Sequence, residues 1–456
     1  MKKRLYALVL TAAVLVGALF ISPAKKPVTP VFQQHREWPR ESEEVEKLQK
    51  KGVFASHLPI VVIHTDGRRV PGYLRSDDEE LPCEWEIFWN EEGVNQLSDQ
   101  PDQKGQLGLS IRGNSSRDYP KKQYTMKTVD EDGLPEDVSL LGMPGESTWV
   151  LNGSWIDHSL LRNYLLCNLS GQVMDYAPRC RLCEVFLTDK HGEPEYFGVC
   201  TLEEKIKVSE ARLNLPQVSP EHEESSFLMQ MNSKIDNLRI YHLKPDGVNT
   251  YSFDLEYPSL EELDQETLHY IQQQMLVFEK TLYDALRSGD WDDVNRMVDL
   301  RSFVDYYLIN EFFQNLDAGT RSTYLWKAPG GLITIGPVWD FDGTFNNFQD
   351  VEPRTDYLKV KSTVYYRCLF QDPAFVELCL QRYETLRQGV LSEERLVEAI
   401  DSAAAYMGSA AHRNARKWYR GDDSLFENDV AGMKDFVRER GAWMDENLVR
   451  LCTPIK

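Results

Sequence analysis

An apolar run that ends abruptly in two carboxylates constrains this chain more than any other stretch. Residues 332–344 read L-I-T-I-G-P-V-W-D-F-D-G-T. Side chains two apart in an extended segment share a face, which predicts Asp340 and Asp342 on one face and Trp339 and Phe341 on the other. Two adjacent carboxylates repel each other unless a cation or proton lies between them, and their oxygens suit Mg²⁺, Mn²⁺ or Ca²⁺. The pattern predicts a strand that ends in a metal site; a plain acidic turn is the alternative.

A third carboxylate, Asp317, is predicted to join this pair. A helix predicted from about Leu300 to Phe313 breaks at the sequence Q-N-L-D-A-G, which contains Asp317. A short strand, a Pro-Gly-Gly turn and the strand towards Asp340 follow. A β-hairpin brings its flanking residues close together. We therefore expect Asp317 and Asp340 to share a cleft.

A polar loop between two strand-like segments has the composition of an anion site. Residues 113–118 read G-N-S-S-R-D, and Arg112, Lys121 and Lys122 flank them. Free backbone N–H groups and hydroxyls in such a loop can cradle a phosphate, with the cations nearby. A solvated turn with ordinary surface charges is the alternative that these residues leave open.

The composition and the order of the predicted strands and helices limit which class of protein this can be. The 456 residues carry a formal net charge of -21, which argues against nucleic acid or an anionic membrane surface as the main partner. The pattern is rich in strands to about residue 205, mixed to about 258, and helical afterwards. It predicts an α+β protein with a β-rich N-terminal part and a helical C-terminal part.

The N-terminus is typical of an exported bacterial protein. Lys2, Lys3 and Arg4 precede an apolar run from Leu5 to Ile21, and small residues follow. We interpret residues 1–24 as a signal peptide or an uncleaved anchor, and residues 25–55 as a stalk or linker. This predicts an extracytoplasmic protein, secreted or held at the membrane by that segment alone.

Eight cysteines occur in the chain, and two of them form the pair Cys180-x-x-Cys183. That spacing can indicate a redox or metal site. No second such pair and no neighbouring histidine pair accompany it, and the next residues are strand-like. We therefore expect scattered, mostly buried cysteines.

Three chemistries fit these residues. In phosphoryl transfer, Asp340 and Asp342 would hold a metal, Asp317 would face the acceptor hydroxyl, and the loop and a lysine would hold phosphates. In glycoside hydrolysis, Asp317 and Asp340 would be acid and base, although the basic loop would have no role. In a non-catalytic coat or adhesion protein, the acidic pair would bind a structural Ca²⁺.

Five segments together resemble the CotH-type spore-coat protein kinase family. Residues 109–124 read L-S-I-R-G-N-S-S-R-D-Y-P-K-K-Q-Y, and residues 149–164 read W-V-L-N-G-S-W-I-D-H-S-L-L-R-N-Y. The other three are Y-F-G-V-C-T-L-E-E-K-I at 196–206, N-L-D at 315–317 and P-V-W-D-F-D at 337–342. They occur in the family's order.

The resemblance implies an atypical, bilobal protein-kinase-like fold over residues 56–456. Its β-rich N-lobe would span about 56–205 and its α-rich C-lobe about 206–456. Proteins of that family are similar to kinases that use ATP and Mg²⁺ or Mn²⁺ to phosphorylate serine or threonine of coat or secreted proteins. A nucleotide and a coat or envelope protein are therefore the expected partners, and nucleic acid is not.

Carried over by position, the resemblance assigns roles to individual residues. Asp340 would bind metal with Asp342, and Asp317 would be the catalytic-loop aspartate. Lys122 would contact phosphate, with Lys121 and Lys127 as rivals. The expected nucleotide-facing set is completed by Glu204 and by Arg112, Gly113, Asn114, Ser115, Ser116 and Lys121.

One departure from the family pattern leaves a further alternative. The family often has an asparagine shortly after the catalytic-loop aspartate, whereas this chain reads G-T-R-S-T-Y at 319–324. Ser322 and Thr323 are poorer metal ligands than asparagine. A catalytically weak pseudokinase is the alternative that follows.

Overall fold

The computed structural model describes residues 34–72, 80–216, 224–241, 243, 252–348 and 353–452. The predicted signal or anchor segment, residues 1–24, lies outside the described residues. Among the helices within these ranges, none is long and apolar enough to cross a membrane.

Seven strands of the N-terminal half close into a barrel. Their order is β2-β3-β5-β6-β7-β9-β8, and only the β2–β8 pair is parallel. Alternate residues of these strands fill the interior, where Trp85, Met126 and Trp149 are buried. The strands of this half are β1 Ala55–Ser56, β2 Ile60–Ile63, β3 Leu81–Phe88, β4 Asn95–Gln96, β5 Gln103–Ile111, β6 Tyr124–Val129, β7 Thr148–Asn152, β8 Cys180–Thr188 and β9 Pro194–Glu204.

A second sheet lies in the part of the chain where the sequence pattern is mixed. Its five strands are antiparallel in the order β11-β12-β10-β13-β14. Strand β13 therefore pairs with β10 as well as with its hairpin partner β14. The strands are β10 Phe227–Asn232, β11 Arg239–Ile240, β12 Ser252–Tyr257, β13 Thr323–Lys327 and β14 Thr334–Ile335.

Helices dominate the C-terminal part, as the sequence predicts. Helix α6 is the most deeply buried of the long ones, since ten consecutive residues from Phe303 to Phe312 are buried. Asp299 caps its N-terminus by accepting from the N–H groups of Arg301 and Ser302. The helices are α1 Gln34–Glu37, α2 Glu43–Lys50, α3 Arg162–Ser170, α4 Gln265–Ser288, α5 Asp292–Met297, α6 Leu300–Phe312, α7 Tyr366–Leu369, α8 Pro373–Arg387, α9 Glu393–Met407, α10 Ser409–Trp418 and α11 Ser424–Asn447.

The later part of the segment predicted as linker packs on the body of the protein. Val45 of α2 is fully buried, and the Trp38 ring packs against Trp89 with centroids 4.8 Å apart. The Glu41 carboxylate accepts from the Ser409 N–H at 2.8 Å, at the start of α10. These contacts tie the residues before the barrel to the C-terminal helices.

The predicted strand that ends in Asp340 is wrong in its extent. Strand β14 stops at Ile335, the Gly336–Pro337 bond is cis, and Asp340 has a positive φ of 62°. The backbone is not extended there, so the expected two-face alternation fails. Trp339 and Phe341 are both buried, but in different hydrophobic clusters.

The seven described cysteines are buried free thiols, as expected for those residues. Cys180 and Cys183 lie on opposite faces of β8, because three positions separate them along a strand. Cys180 packs in the core shared with the C-terminal helices, and Cys183 packs inside the barrel. Their spacing therefore does not form one two-thiol site.

Candidate active site

Asp317 and Asp340 meet where the α6 end approaches the segment after β14. The Asn315 side-chain amide donates to the Asp340 carbonyl oxygen at 3.3 Å, and Ser322 Oγ donates to Asp340 Oδ2 at 3.1 Å. Burial raises the pKa of Asp317, and the Asp340 charge raises it further. The structure thus brings together the two acids that the sequence predicts to share a cleft.

Asp342 lies on the inner side of the same segment. Its side chain is buried and accepts a hydrogen bond from Asn163 Nδ2, while the Phe341 N–H donates to Asn163 Oδ1 at 2.8 Å. Burial raises the pKa of Asp342 well above its ordinary value, and the negative charge of Asp340 adds to this. A carboxylate held in such surroundings favours a cation or a proton as its neighbour.

Buried ion pairs of the neighbouring residue, Arg162, hold the start of the helix that carries Asn163. Arg162 pairs with Asp157 and, at 2.7 Å, with Asp429 of α11. Arg162 Nε also donates to the Thr344 carbonyl oxygen at 3.1 Å. The start of α3 therefore holds both sides of the aspartate segment. These residues lie in the segment that resembles D-x-S-x-L-R-N. The contacts of Arg162 and Asn163 with the aspartate segment, however, join residues more than 170 positions apart.

The glycine loop lies beside this segment. Gly113 has φ of 103°, a conformation that favours glycine, and a Cβ there would force the Ser116 side chain to move. The Arg112 guanidinium lies over the Trp339 ring, 5.4 Å from its centroid. Asn114 precedes a 3₁₀ turn formed by Ser115–Asp118. The start of the predicted loop therefore lies next to the segment that carries Asp340.

The three candidate lysines lie in different surroundings. Lys122 Nζ donates to the Arg117 carbonyl oxygen at 2.6 Å, within the loop. Lys127 is half exposed and pairs with Glu80 at 2.6 Å. Lys121 is fully buried and donates to the Val199 carbonyl oxygen and to Asn414 Oδ1.

The electrostatics of Lys121 connect it to the aspartate segment. Burial lowers the pKa of the Lys121 ammonium to about 8, against the opposing effect of nearby negative groups that include Asp157 and Asp342. Lys121 is therefore a buried cation whose charge state responds to the acids of the site.

Glu203, which is not among the residues predicted from sequence, lies close enough to Arg112 and Asp340 for their charges to affect its pKa. Asn152 Nδ2 donates to Glu203 Oε1 at 3.3 Å. Burial raises the pKa of Glu203 to about 7; the Arg112 charge opposes this shift and the Asp340 charge adds to it.

Its neighbour Glu204 points the other way, because successive strand residues alternate. Glu204 is enclosed by Arg179 at 2.7 Å and Arg212 at 3.3 Å, and Tyr176 Oη donates to it. The structure therefore does not bring Glu204 to the other predicted nucleotide residues. Glu203 and Glu204 have different surroundings because their side chains point to opposite faces of β9. The sequence does not fix which of these faces meets the other site residues.

The donor set fits an open divalent-cation site. Within the described ranges, no group of three or more His, Cys, Asp or Glu side chains is arranged to hold a metal ion. Asp340 and Asp342 supply two carboxylates; burial raises the pKa of Asp342, and repulsion from Asp340 adds to the shift. Mg²⁺ is commonly bound through one or two carboxylates plus water and substrate phosphates, so this incomplete set suits it.

The comparison with protein families decides the identity. The family model described as CotH kinase protein matches residues 109–444. The chain belongs to the CotH kinase protein family. A search of curated proteins finds no match. The matched range of this CotH protein includes the glycine loop, Asn163, Asp317 and Asp340, so the cleft lies within the family's own region.

One feature of this CotH protein departs from the pattern that the sequence resembles. Where that pattern often has an asparagine, Ser322 contacts the Asp340 carboxylate. Ser322 has a positive φ of 47°, and Gln314, just before the Asp317 loop, has one of 51°. Left-handed non-glycine residues therefore surround the two acids, a strain that is concentrated at functional sites in proteins.

Proposed function

We propose that this CotH protein is a metal-dependent kinase that transfers phosphate from ATP to serine or threonine of a coat or envelope protein. The observation that carries the proposal is the proximity of Asp317 and Asp340: the Asn315 side chain accepts from the Asp317 N–H at 3.3 Å and donates to the Asp340 carbonyl oxygen at 3.3 Å. Family membership supports kinase-like chemistry in general. The nucleotide, the metal and the substrate are our inference from the cleft.

Asp317 is assigned to the acceptor hydroxyl. Its raised pKa brings it closer to neutral, where a carboxylate is a better proton acceptor for a positioned hydroxyl. Arg321 is 3.5 Å from its carboxylate and keeps part of its negative charge compensated. Asp317 would therefore orient the hydroxyl and accept its proton as transfer proceeds.

Asp340 and Asp342 would hold the divalent cation, which when bound neutralises phosphate charge. The contacts of Ser322 and Asn163 set the directions of these two carboxylates. Asp340, which has a left-handed backbone, is exposed, and Asp342 is buried, so the cation would lie between an outer and an inner carboxylate.

We choose Lys121 as the phosphate-contacting lysine, in place of Lys122, the choice made from sequence. Both amines donate to backbone carbonyl oxygens, that of Val199 for Lys121 and that of Arg117 for Lys122, and Lys127 is half exposed and paired with Glu80. Lys121 is the one whose charge interacts with Asp342. The backbone N–H groups of Gly113 to Ser116 and the guanidinium of Arg112 would supply further donors to the phosphates.

The compartment and the partner follow from the sequence and remain proposals. An export or anchor segment over residues 1–24 would place the kinase outside the cytoplasm. Its substrate would then be an extracytoplasmic protein, and its membrane contact would be that segment alone.

The test is transfer of labelled phosphate from ATP by the purified chain with Mg²⁺ or Mn²⁺. We expect autophosphorylation that is lost in Asp317→Ala and Asp340→Ala. Among the lysines, Lys121→Met should abolish transfer, Lys122→Met should reduce it, and Lys127→Met is the matched surface control and should retain it. Each variant is compared with the wild type by thermal unfolding, so that loss of folding is recognised.

Three results would contradict the proposal in distinct ways. Metal-dependent nucleotide binding without transfer to any protein indicates a pseudokinase. Binding of glycans with no nucleotide binding indicates a carbohydrate-active protein. Folded Asp317→Ala and Asp340→Ala variants with undiminished transfer would remove the assigned residues from the mechanism.

A further inference from the structure

A cavity of about 140 Å³ lies outside the aspartate cleft. It is bounded by residues that follow α3, by the start of α6 and by the hairpin β13–β14. Its walls include the buried side chains of Met174, Leu213, Leu215 and Ile335. An apolar cavity of about 150 Å³ is sufficient for a benzene ring. The size and the walls therefore suit one aromatic ring.

Two side chains on the inner wall of this cavity bind Glu204, a residue that the proposed function does not use. Tyr176 and Arg212 both line the cavity, and both are bound to Glu204. Asp317 and Asp340 are not among its lining residues. The Glu204 cluster therefore belongs to the cavity rather than to the nucleotide cleft.

The lining also contains more negative than positive groups near solvent. Asp175 is exposed and Asp299 is partly exposed. The exposed lining cation, Arg301, is 3.6 Å from the carboxylate of Asp305, which also pairs with Arg382 at 2.6 Å. The Asp299 carboxylate already caps α6, so at the described rim of the cavity it is the exposed carboxylate of Asp175 that can interact with a bound cation.

We propose that this cavity binds a small arylalkylammonium ligand, with its ring between Met174 and Ile335 and its ammonium group towards Asp175. Burial of a ring supplies the apolar contribution, and the acidic rim selects the positive charge. The proposal is independent of the proposed kinase activity, because the ligand would bind without nucleotide or metal.

The test uses phenethylamine on the whole chain, without ATP or metal, followed by calorimetry and ligand-observed NMR. Phenylacetate carries the same ring with the opposite charge, and ethylbenzene carries it without charge. We expect saturable binding of phenethylamine and binding weaker by about fivefold or more for the other two, since one exposed charge pair is worth about 1 kcal/mol.

Two variants locate the site. Asp175→Asn changes an exposed residue and should weaken phenethylamine by about fivefold, whereas Asp132→Asn, an exposed acid of a barrel loop, should leave the affinity unchanged. Met174→Phe fills the cavity and should abolish binding; its thermal unfolding shows whether it remains folded.

Several outcomes would overturn the inference. One is equal or tighter binding of phenylacetate or ethylbenzene, which would remove the role of the acidic rim. Another is binding that both Asp175→Asn and a folded Met174→Phe leave intact, which would place the ligand elsewhere. Absence of saturable phenethylamine binding would also overturn it.

Discussion

Asn163 uses both ends of its side-chain amide to fix the segment that carries the two aspartates. Its Oδ1 accepts from the Phe341 N–H at 2.8 Å, and its Nδ2 donates to Asp342. One side chain therefore pairs a buried backbone donor and orients a buried carboxylate. This relationship joins α3, which follows the first strands of the barrel, to the segment after β14.

Asn163→Ala should damage the site more than the fold. It leaves the Phe341 N–H and one Asp342 oxygen unpaired, which should lower the free energy of unfolding by about 1–3 kcal/mol. Loss of a residue that orients a metal-binding carboxylate commonly costs about 10- to 100-fold in metal affinity. Urea unfolding and Mn²⁺ titration measure the two effects.

Asn168→Ala is the matched control on the same helix. Asn168 is also buried, but its amide donates to the Tyr164 carbonyl oxygen within α3. Its loss should cost stability without altering Mn²⁺ affinity. Equal Mn²⁺ affinities of the two folded variants would show that Asn163 has no special part in the site.

The ion network behind Asn163 gives a second prediction. Asp157 is fully buried and pairs with Arg162, whereas Asp429 is about one-fifth exposed. Breaking a buried ion pair costs about 3–5 kcal/mol, and here the lower end applies because Arg162 keeps the partly exposed Asp429 as a partner. Asp157→Asn should therefore lower the free energy of unfolding by about 3 kcal/mol, measured by urea unfolding.

Asp429→Asn should cost clearly less, because solvent screens that pair more effectively. The two variants alter the same guanidinium from two sides. Equal losses in both would mean that burial does not decide the strength of these pairs.

Much of the fold follows from local sequence patterns. Strands β3, β5 and β6 alternate more and less buried residues over much of their length, and the break after α6 follows from the Q-N-L-D-A-G sequence. The pairing of β10, β11 and β12 in one sheet with β13 is not predicted, because β10, which pairs with β13, ends at Asn232 whereas β13 begins at Thr323, and these strands carry no clean alternation. The sequence of either segment alone does not predict which distant segment it pairs with.

The site illustrates the same limit. The sequence identifies Asp317, Asp340 and the glycine loop because each has a local motif. It does not distinguish Glu203 from Glu204, since that depends on which face of β9 meets the cleft. It also does not predict the direction of Asp342, because a left-handed residue at Asp340 interrupts the expected strand.

Glu203 gives a prediction on pH. Its pKa is raised from 4.5 to about 7 in the folded protein, so between these values the folded state binds more protons than the unfolded chain. The resulting stabilisation is fully present below about pH 4.5 and is lost as pH rises through 7. It amounts to about 3 kcal/mol. Glu203→Gln should remove this decline, as measured by urea unfolding from pH 4.5 to 7.5.

Glu279 is a control whose pKa is raised in the same way but which lies away from the candidate site. Burial raises its pKa to about 7 as well, and it accepts hydrogen bonds from Tyr365 and from the Leu243 N–H. Glu279→Gln should flatten the stability profile in the same direction without altering nucleotide or Mn²⁺ affinity. A profile unchanged by Glu203→Gln would mean that Glu203 is already ionised at pH 4.5.

Gly113 gives the sharpest test of the loop. Alanine there must adopt a positive φ of 103° and place its Cβ against the Ser116 side chain. Gly133 also has a positive φ, 78°, but a Cβ there meets nothing within 4 Å. Both Gly→Ala changes should therefore pay about 1 kcal/mol for the left-handed backbone. Only Gly113→Ala must also displace the Ser116 side chain, in the loop that we propose holds the phosphates, so we expect its ATP affinity to fall at least about tenfold by calorimetry while Gly133→Ala retains the wild-type value. If both folded variants bind ATP like the wild type, the loop is an ordinary turn and the phosphates are held elsewhere.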